Sequence, residues 1–408
     1  MQPRLTIVTL NFDPEPTGTA PYTTYLARHL ASSGWAVTIV AGTPHYPQWA
    51  AYEGYEHGRR RLLTDTTSVL HLQHYIPSRP SLMSRVLMEV HFGLKAMAVD
   101  WRDPDVVLFV SPALFSTALA LLAQKLRYRN SRSVVWVQDL YARGVEESHA
   151  STSHLVVPLR WFEGVVLSAT DTVIGIHERF GRYVQDRLGV PSSRVRVIGN
   201  WSHIPASSSA DRATIRSSFG WNNGEVVVLH AGNMGVKQNL ENVVDAARLS
   251  DKQGSNLRFV LLGNGNQRRS LEGRAVGISC LQFIDPLPDD QYSMALSAAD
   301  ILLVNERPGL QEMSVPSKLA SYFSSGRPVI GAVSRGGATA SEIERSGAGI
   351  IVPSGDPVGL WEALVVMGQD LTNASQMGEN GPAYAREHLS AEAAMCRWED
   401  VFRSLLGT

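Results

Sequence analysis

Short runs of β-branched and aliphatic residues alternate along this chain with helix-like apolar patterns, and that alternation limits the available folds more than any other feature. RLTIVTL leads into YTTYLARHLASSG, AVTIVAG follows, DVVLFVS leads into PALFSTALALLAQKL, SVVWVQDL follows, and DTVIGI leads into HERFGRYVQDRLG. Strands that are apolar throughout belong to parallel sheets covered on both faces by the intervening helices. The pattern restarts beyond residue 200 with EVVVLHAG before NLENVVDAARL and LRFVLLG before QRRSLEGRA, then ADILLVN, RPVIGAV and GAGIIV. A length of 408 residues suits two or three domains at about 150 residues each. The expectation is an α/β chain of two Rossmann-like, doubly wound domains, 1–198 and 199–383. A helix in 384–408 is expected to pack back on the first, with the Pro/Ser-rich stretch Ile204–Ser209 near the hinge. Ligands of such folds sit beyond the carboxyl ends of the strands, so two facing domains would make a cleft.

Charge and cysteine content remove several function classes. A formal net charge of −1 argues against a dedicated nucleic-acid binder. Residues 1–198 carry 20 Lys and Arg against 16 Asp and Glu, and the remainder 17 against 22. The basic excess of the first half suits an anionic acceptor or an acidic membrane surface, or is the ordinary scatter of a solvated surface. Cys280 and Cys396 make no disulfide framework and stand at no metal-ligand spacing, which points to a reducing cytoplasm. The opening MQPRLTIVTLNFDPEP holds too short an apolar stretch for a signal peptide, so no secretion is expected. Residues 106–124, VVLFVSPALFSTALALLAQ, are uncharged and barely long enough to cross a bilayer. Ser111-Pro112 makes a strand ending at Val110, a serine N-cap and a buried helix opened by proline the better reading. In residues 79–102, Arg79, Arg85, Lys95 and Arg102 interleave with Leu, Met, Val and Phe. Such a helix either makes peripheral contact with an anionic membrane or packs its apolar face on the sheet.

Two stretches of the second half carry candidate chemistry. In VVVLHAGNMGVKQNLENVVDAARL, residues 226–249, Gly232 and Gly235 let the backbone approach a ligand, and the following helix start offers unpaired N–H groups. Lys237 adds a charge there, making either a diphosphate site or an ordinary turn with a solvated lysine. In VNERPGLQEMSVPSKLASYFSSGRPVIGAV, residues 304–333, Ser314 is a plausible cap and Pro316 fits a first turn. Ser317 and Lys318 then put a hydroxyl and a second cation at another helix start. Two lysines at two helix starts of one domain suggest one polyanion between them. The loop GNGNQR, opening at Gly263, lacks the third glycine of a dinucleotide fingerprint and reads as a nucleotide-side loop rather than an NAD site. Tyr46, Trp49, Tyr52 and Tyr55 of PHYPQWAAYEGY either stack on an acceptor or pack on one another.

The order HAGNMGVKQNLENV, FVLLGNGNQRRSL, LQFIDPLP, ADILLVNERPG, SVPSKLASYFSSGRPVI and SGAGIIVPSGDP resembles the donor-binding domain of family 4 retaining glycosyltransferases of GT-B architecture. FDPEPTGTAPYTTYLARHLASSGWAVTIVAGTPHYPQWAAYEGY and VVWVQDLYARGVEES are similar to the N-terminal domain of the branch that includes colanic-acid-type fucosyltransferases of bacterial exopolysaccharide synthesis. The resemblance covers nearly the whole chain. It implies a nucleotide-diphosphate sugar donor in the second domain and a glycan or polyprenyl-diphosphate-linked acceptor in the first. It also implies transfer with retention, and a location in the cytoplasm, free or at the inner face of the plasma membrane.

The resemblance carries residue roles. Lys237 and Lys318 match the positions that hold the donor diphosphate and stabilise it as it leaves, so no metal or other cofactor is expected. Asp103-Pro104-Asp105 stands before a strand, where a surface role is simpler. Donor contacts are expected from Gly232, Asn233, Gly235, Gly263, Ser314, Val315 and Ser317. Gly18 matches a turn facing the diphosphate and the acceptor, or only permits a turn after Pro14 and Pro16. Asp139, at the end of SVVWVQD, matches a position near the acceptor hydroxyl; the alternative is a helix cap. Many relatives carry two glutamates eight positions apart where this chain has Met313 and Ser321. Glu306 and Glu312 are the nearby acids available to substitute. The expected reaction moves a sugar, GDP-linked fucose or a related deoxysugar before others, onto a cell-surface glycan intermediate. A nucleotide-sugar epimerase or phosphorylase of the same fold, or a non-catalytic sugar-nucleotide-binding subunit, are the rivals.

Overall fold

The computed structural model describes residues 2–16, 18–64, 67–142, 153–201, 211–309 and 318–407. The hinge stretch Ile204–Ser209 lies outside them. Contacts divide the chain into two compact units, Met1–Gly199 with Ala394–Thr408, and Asn200–Ala393.

The first unit is built on an eight-stranded sheet. Its strands are β1 (Arg4–Thr9), β2 (Ala36–Gly42), β3 (Arg59–Thr64), β4 (Thr67–Leu72), β5 (Val106–Val110), β6 (Arg132–Val137), β7 (Thr172–Gly175) and β8 (Val195–Val197), in the order β3-β4-β2-β1-β5-β6-β7-β8. All neighbours are parallel except β3 on β4. The β-branched runs form the centre: every residue of β5 is buried, as is all of β6 after Arg132. Fully burying one such Val or Leu contributes about 1.5–3 kcal/mol. The helices Leu82–Ala98, Leu114–Arg127 and Ser153–Ser168 are neighbours: Phe115 stacks on Phe162 at 5.4 Å, and Arg127 donates to the Val99 carbonyl at 3.1 Å. The chain's last helix, Ala391–Leu406, brings Trp398 to 4.8 Å from Trp136 and Phe402 to 5.5 Å from Trp35. Glu399 accepts from Ser33 at 2.8 Å and lies 2.8 Å from His29 Nε2.

Residues 106–124 are strand and helix, and no helix among the described residues is long and apolar enough to cross a membrane. The cap differs from expectation. The helix begins at Leu114, its N-cap is Ala113, and Ser111 Oγ instead donates to the Asp139 carbonyl at 3.1 Å. The serine ties β5 to the loop after β6, a partner that local sequence does not reveal.

The second unit holds β9 (Val226–Ala231), β10 (Leu257–Leu262), β11 (Leu281–Ile284), β12 (Ile301–Asn305), β13 (Val329–Val333) and β14 (Gly349–Pro353). They are all parallel, in the order β11-β10-β9-β12-β13-β14. One apolar layer, with Trp221, Tyr322, Phe323 and Tyr384, covers one set of side chains; another, with Phe259, Val243 and Leu364, covers the other. In each sheet the strand order reverses once, between β1 and β5 and between β9 and β12. That reversal opens a crevice at the carboxyl ends of the strands, where doubly wound folds take their ligands.

Candidate functional site

At the β9/β12 reversal the chain leaves the sheet through Gly232, with φ at +132°, and β10 leaves through Gly263, with φ at +130°. These φ values favour glycine, and a Cβ on Gly263 would fall on the Gly232 carbonyl oxygen. Backbone therefore lies on backbone. Gly232 N donates to the Leu262 carbonyl at 2.9 Å and Met234 N to the Asn264 carbonyl at 2.9 Å. Asn233 is exposed on this loop, and Gly235 N donates to Gln238 Oε1 at 3.1 Å.

Lys318 begins the helix Lys318–Ser324, and its side chain crosses to the same place. A Cβ on Gly232 would meet Lys318 Cε and Nζ at 3.4 Å, and Nζ lies 3.3 Å from His230 Nε2. An ammonium thus stands over the carboxyl end of β9, at the reversal point. Burial, reinforced by the Lys318 charge, holds His230 well below the usual imidazole range, so its ring is neutral.

Lys237 does not open an α-helix as the sequence suggests. It lies in the 3₁₀ turn Val236–Gln238, and the helix Glu241–Gln253 starts four residues later. Asn305 of β12 explains the delay. Its side-chain amide donates to the carbonyls of Gln238 and Asn239 at 2.8 and 2.9 Å, while Asn239 takes a left-handed φ of +46°. Asn242 Nδ2 in turn donates to Asn305 Oδ1 at 2.8 Å. The Lys237 side chain is exposed, and its carbonyl accepts from Arg307 N at 2.8 Å. This last bond brings the loop of Lys237 beside Glu306, which is buried and accepts from Thr339 Oγ1. Glu312, Ser314, Val315, Ser317 and Met313 lie outside the described residues. Ser321 is buried and donates back to the Lys318 carbonyl at 2.9 Å.

In the first unit, Asp139 stands two residues beyond β6, exposed, with Oδ1 accepting from Leu140 N at 2.9 Å. The next residues are clamped by an acid that the sequence reading missed. Glu163 accepts from Tyr141 N at 2.7 Å and Ala142 N at 3.2 Å. Burial pushes its carboxyl up to about 7 against these hydrogen bonds, and the Asp139 charge pushes the same way. Glu89, inside the helix Leu82–Ala98, accepts from Phe115 N at 2.9 Å, and burial pushes it up to about 8. Glu15 was missed as well: it accepts from His45 N at 2.6 Å and Tyr46 N at 2.8 Å, fixing the aromatic loop. The signal available for Glu89 and Glu163 was an acid set inside an apolar run, VLMEVHF and WFEGVV.

That aromatic loop packs on itself: Tyr46 meets Trp49 at 6.1 Å, Tyr52 Oη donates to the Tyr46 carbonyl at 2.8 Å, and Tyr55 is buried against His71. Gly18 is exposed with φ at +70°, and a Cβ there would meet the Tyr46 ring at 3.6 Å. The helix Leu82–Ala98 packs one face on the core and leaves apolar residues on the other exposed. Met88, Phe92 and Ala96 face the core, while Met83, Leu87 and Leu94 are exposed. Leu122 and Leu126 on Leu114–Arg127, and Val157, Trp161 and Val165 on Ser153–Ser168, are exposed too.

Comparison with known proteins bears on the fold and the family. Residues 17–201 match the Glycosyl transferase 4-like domain, and residues 225–370 match Glycosyl transferases group 1. WcaI of Escherichia coli (strain K12), named as a colanic acid biosynthesis glycosyl transferase, is 29% identical over 337 residues, covering 79% of this chain and 81% of WcaI. Sucrose-phosphate synthase from Thermosynechococcus elongatus superposes with a TM-score of 0.74 at 17% identity, over 99% of both chains. Anabaena HepE, solved in complex with UDP-glucose, gives 0.67 at 13% identity, over 98% of this chain and 99% of HepE. With both domains matched in order, the chain belongs to the glycosyltransferases of GT-B architecture that pair a family 4-like domain with a group 1 domain.

Proposed function

We propose that the chain transfers a sugar, with retention at the anomeric carbon, from a nucleoside-diphosphate donor to a lipid-linked intermediate of a bacterial cell-surface polysaccharide. The second unit binds the donor and the first binds the acceptor. The observation that carries the reading is the Lys318 ammonium held over Gly232 at the strand-order reversal. A diphosphate there accepts charge-assisted hydrogen bonds from Lys318 and Lys237, and these strengthen as the bond to the sugar breaks. Donor contacts come also from Gly232, Asn233, Gly235 and Gly263, with Glu306 on the sugar side. In front-face transfer the anomeric carbon's bond to the diphosphate oxygen breaks and its bond to the acceptor oxygen forms on the same face. The acceptor's proton passes to the departing diphosphate, and Asp139 orients the acceptor hydroxyl. No metal is needed where two lysines meet the charge.

The similarity to WcaI supports a place in exopolysaccharide synthesis, and the resemblance of the sequence to fucosyltransferases makes GDP-fucose or a related deoxysugar the first donor to try. The exposed apolar residues Met83, Leu87 and Trp161, with Arg79, Arg85 and Lys95 on or just before the helix of Met83 and Leu87, support peripheral contact with an anionic membrane at the cytoplasmic face. Calorimetric titration with GDP, UDP, ADP and NAD in the presence of a chelator tests the donor site. Binding of one nucleoside diphosphate, lost in Lys318→Ala, is expected; binding of NAD alone, or of none, refutes the reading. The anomeric configuration of the isolated product tests retention.

A further inference from the structure

We infer that His230 is a positioning residue of the diphosphate site, whose neutral Nε2 accepts a hydrogen from Lys318 and fixes the ammonium over Gly232. The inference rests on the reading of Lys318 as a diphosphate ligand and extends it to a side chain that is itself fully buried and out of a ligand's reach.

The tautomer follows from the partners. His230 Nδ1 lies 3.1 Å from the Leu303 carbonyl of β12. A carbonyl only accepts, so Nδ1 carries the ring proton. Nε2 then presents a lone pair to Lys318 Nζ at 3.3 Å, and the backbone of Asn233 also hydrogen-bonds the ring. An ammonium has three hydrogens and no lone pair, so the donor and acceptor are matched. A charged imidazole would fail twice, lacking the lone pair and repelling the ammonium. Burial and the Lys318 charge keep the ring neutral.

A neutral acceptor does something that a carboxylate could not. Lysine carries its charge on a flexible four-carbon stem, and that charge must be localised before a ligand can use it. An aspartate or glutamate at this point would localise the ammonium but cancel its charge and repel an incoming diphosphate. Histidine orients the ammonium without itself adding a negative charge. The imidazole is in turn oriented by β12, so both strands at the reversal point determine where the positive charge stands.

A double-mutant cycle tests this in the full-length chain, read by calorimetric titration with GDP and UDP without added metal. Lys318→Ala alone is expected to weaken diphosphate binding at least tenfold, and His230→Leu about tenfold when Lys318 is present. In the Lys318→Ala background, His230→Leu is expected to change affinity less than about twofold. His230→Gln, whose amide oxygen replaces Nε2 as acceptor, is expected to recover most of the loss. Equal losses in both backgrounds, or wild-type affinity in His230→Leu, overturn the inference and leave the diphosphate reading standing. Wild-type affinity in Lys318→Ala overturns the diphosphate reading itself, and the inference with it. If His230→Leu does not fold, the ¹H–¹⁵N histidine spectrum of the wild-type chain decides. A neutral ring protonated on Nδ1, whose Nε2 resonance moves in Lys318→Ala, is expected; a ring protonated on Nε2, or a charged ring, overturns the inference.

Discussion

Glu89→Gln is expected to make the protein more stable in alkaline solution while leaving it unchanged in acid. Glu89 is 4% exposed, and burial raises its carboxyl from 4.5 to about 8. A carboxyl raised on folding stabilises the native state fully below its unfolded value and loses that contribution as pH climbs to its folded value. Between about pH 4.5 and pH 8 the unfolded chain has given up the proton and the native chain has kept it. Each pH unit in that window therefore costs about 1.4 kcal/mol, and the whole interval about 3–5 kcal/mol. Glutamine keeps an oxygen for the Phe115 N–H, which Glu89 accepts at 2.9 Å, and has nothing to ionise. Urea unfolding of wild type and variant, followed by tryptophan fluorescence at pH 5, 7 and 9, should give curves that coincide in acid and separate progressively toward alkali, the variant above. Parallel pH profiles, or a variant less stable at pH 9, would refute the account of Glu89 as a buried carboxyl held neutral.

Asp139→Asn is expected to retain donor binding and lose transfer, as read by titration and by product formation with an acceptor; a normal rate removes Asp139 from the mechanism. Gly263→Ala, at a φ of +130° against the Gly232 carbonyl, should cost about 3 kcal/mol and lower the melting temperature before any ligand is added. Leu87→Glu combined with Trp161→Glu, two residues that are 55% and 69% exposed, should abolish flotation with phosphatidylglycerol vesicles while leaving GDP or UDP affinity intact. Undiminished flotation would move the membrane contact elsewhere.

The fold was legible because its signal is local. Runs such as DVVLFVS announce buried parallel strands wherever they pair, and two cycles of strand and helix limit the topologies to a few. Gly232 and Lys318 were legible for a similar reason: glycine beside a strand end and lysine at a helix start carry their chemistry wherever the chain goes. The rest depended on partners far away in sequence. Lys237 was read at an α-helix start because nothing near it shows that Asn305 grips the carbonyls of Gln238 and Asn239. Ser111 was read as a cap because the Asp139 carbonyl it serves comes from another strand. His230 looked like one more strand residue, and its importance appears only when β12 and the helix of Lys318 close around it. Glu89 and Glu163 stood out against apolar neighbours, but whether such an acid points to water or to another helix is decided by the packing of the sheet.

The return of Ala394–Thr408 to the first unit bears on how the protein is made. A ribosome delivers the strands of that unit before the second unit and the helix that covers Trp35 and Trp136 after it. Throughout synthesis of the second unit these tryptophans lack Phe402 and Trp398, their partners at 5.5 and 4.8 Å. The first unit is completed only after the second has been synthesised. A nascent chain at that stage exposes aromatic surface that chaperones recognise, and a product lacking Ala394–Thr408 would keep that surface for its lifetime.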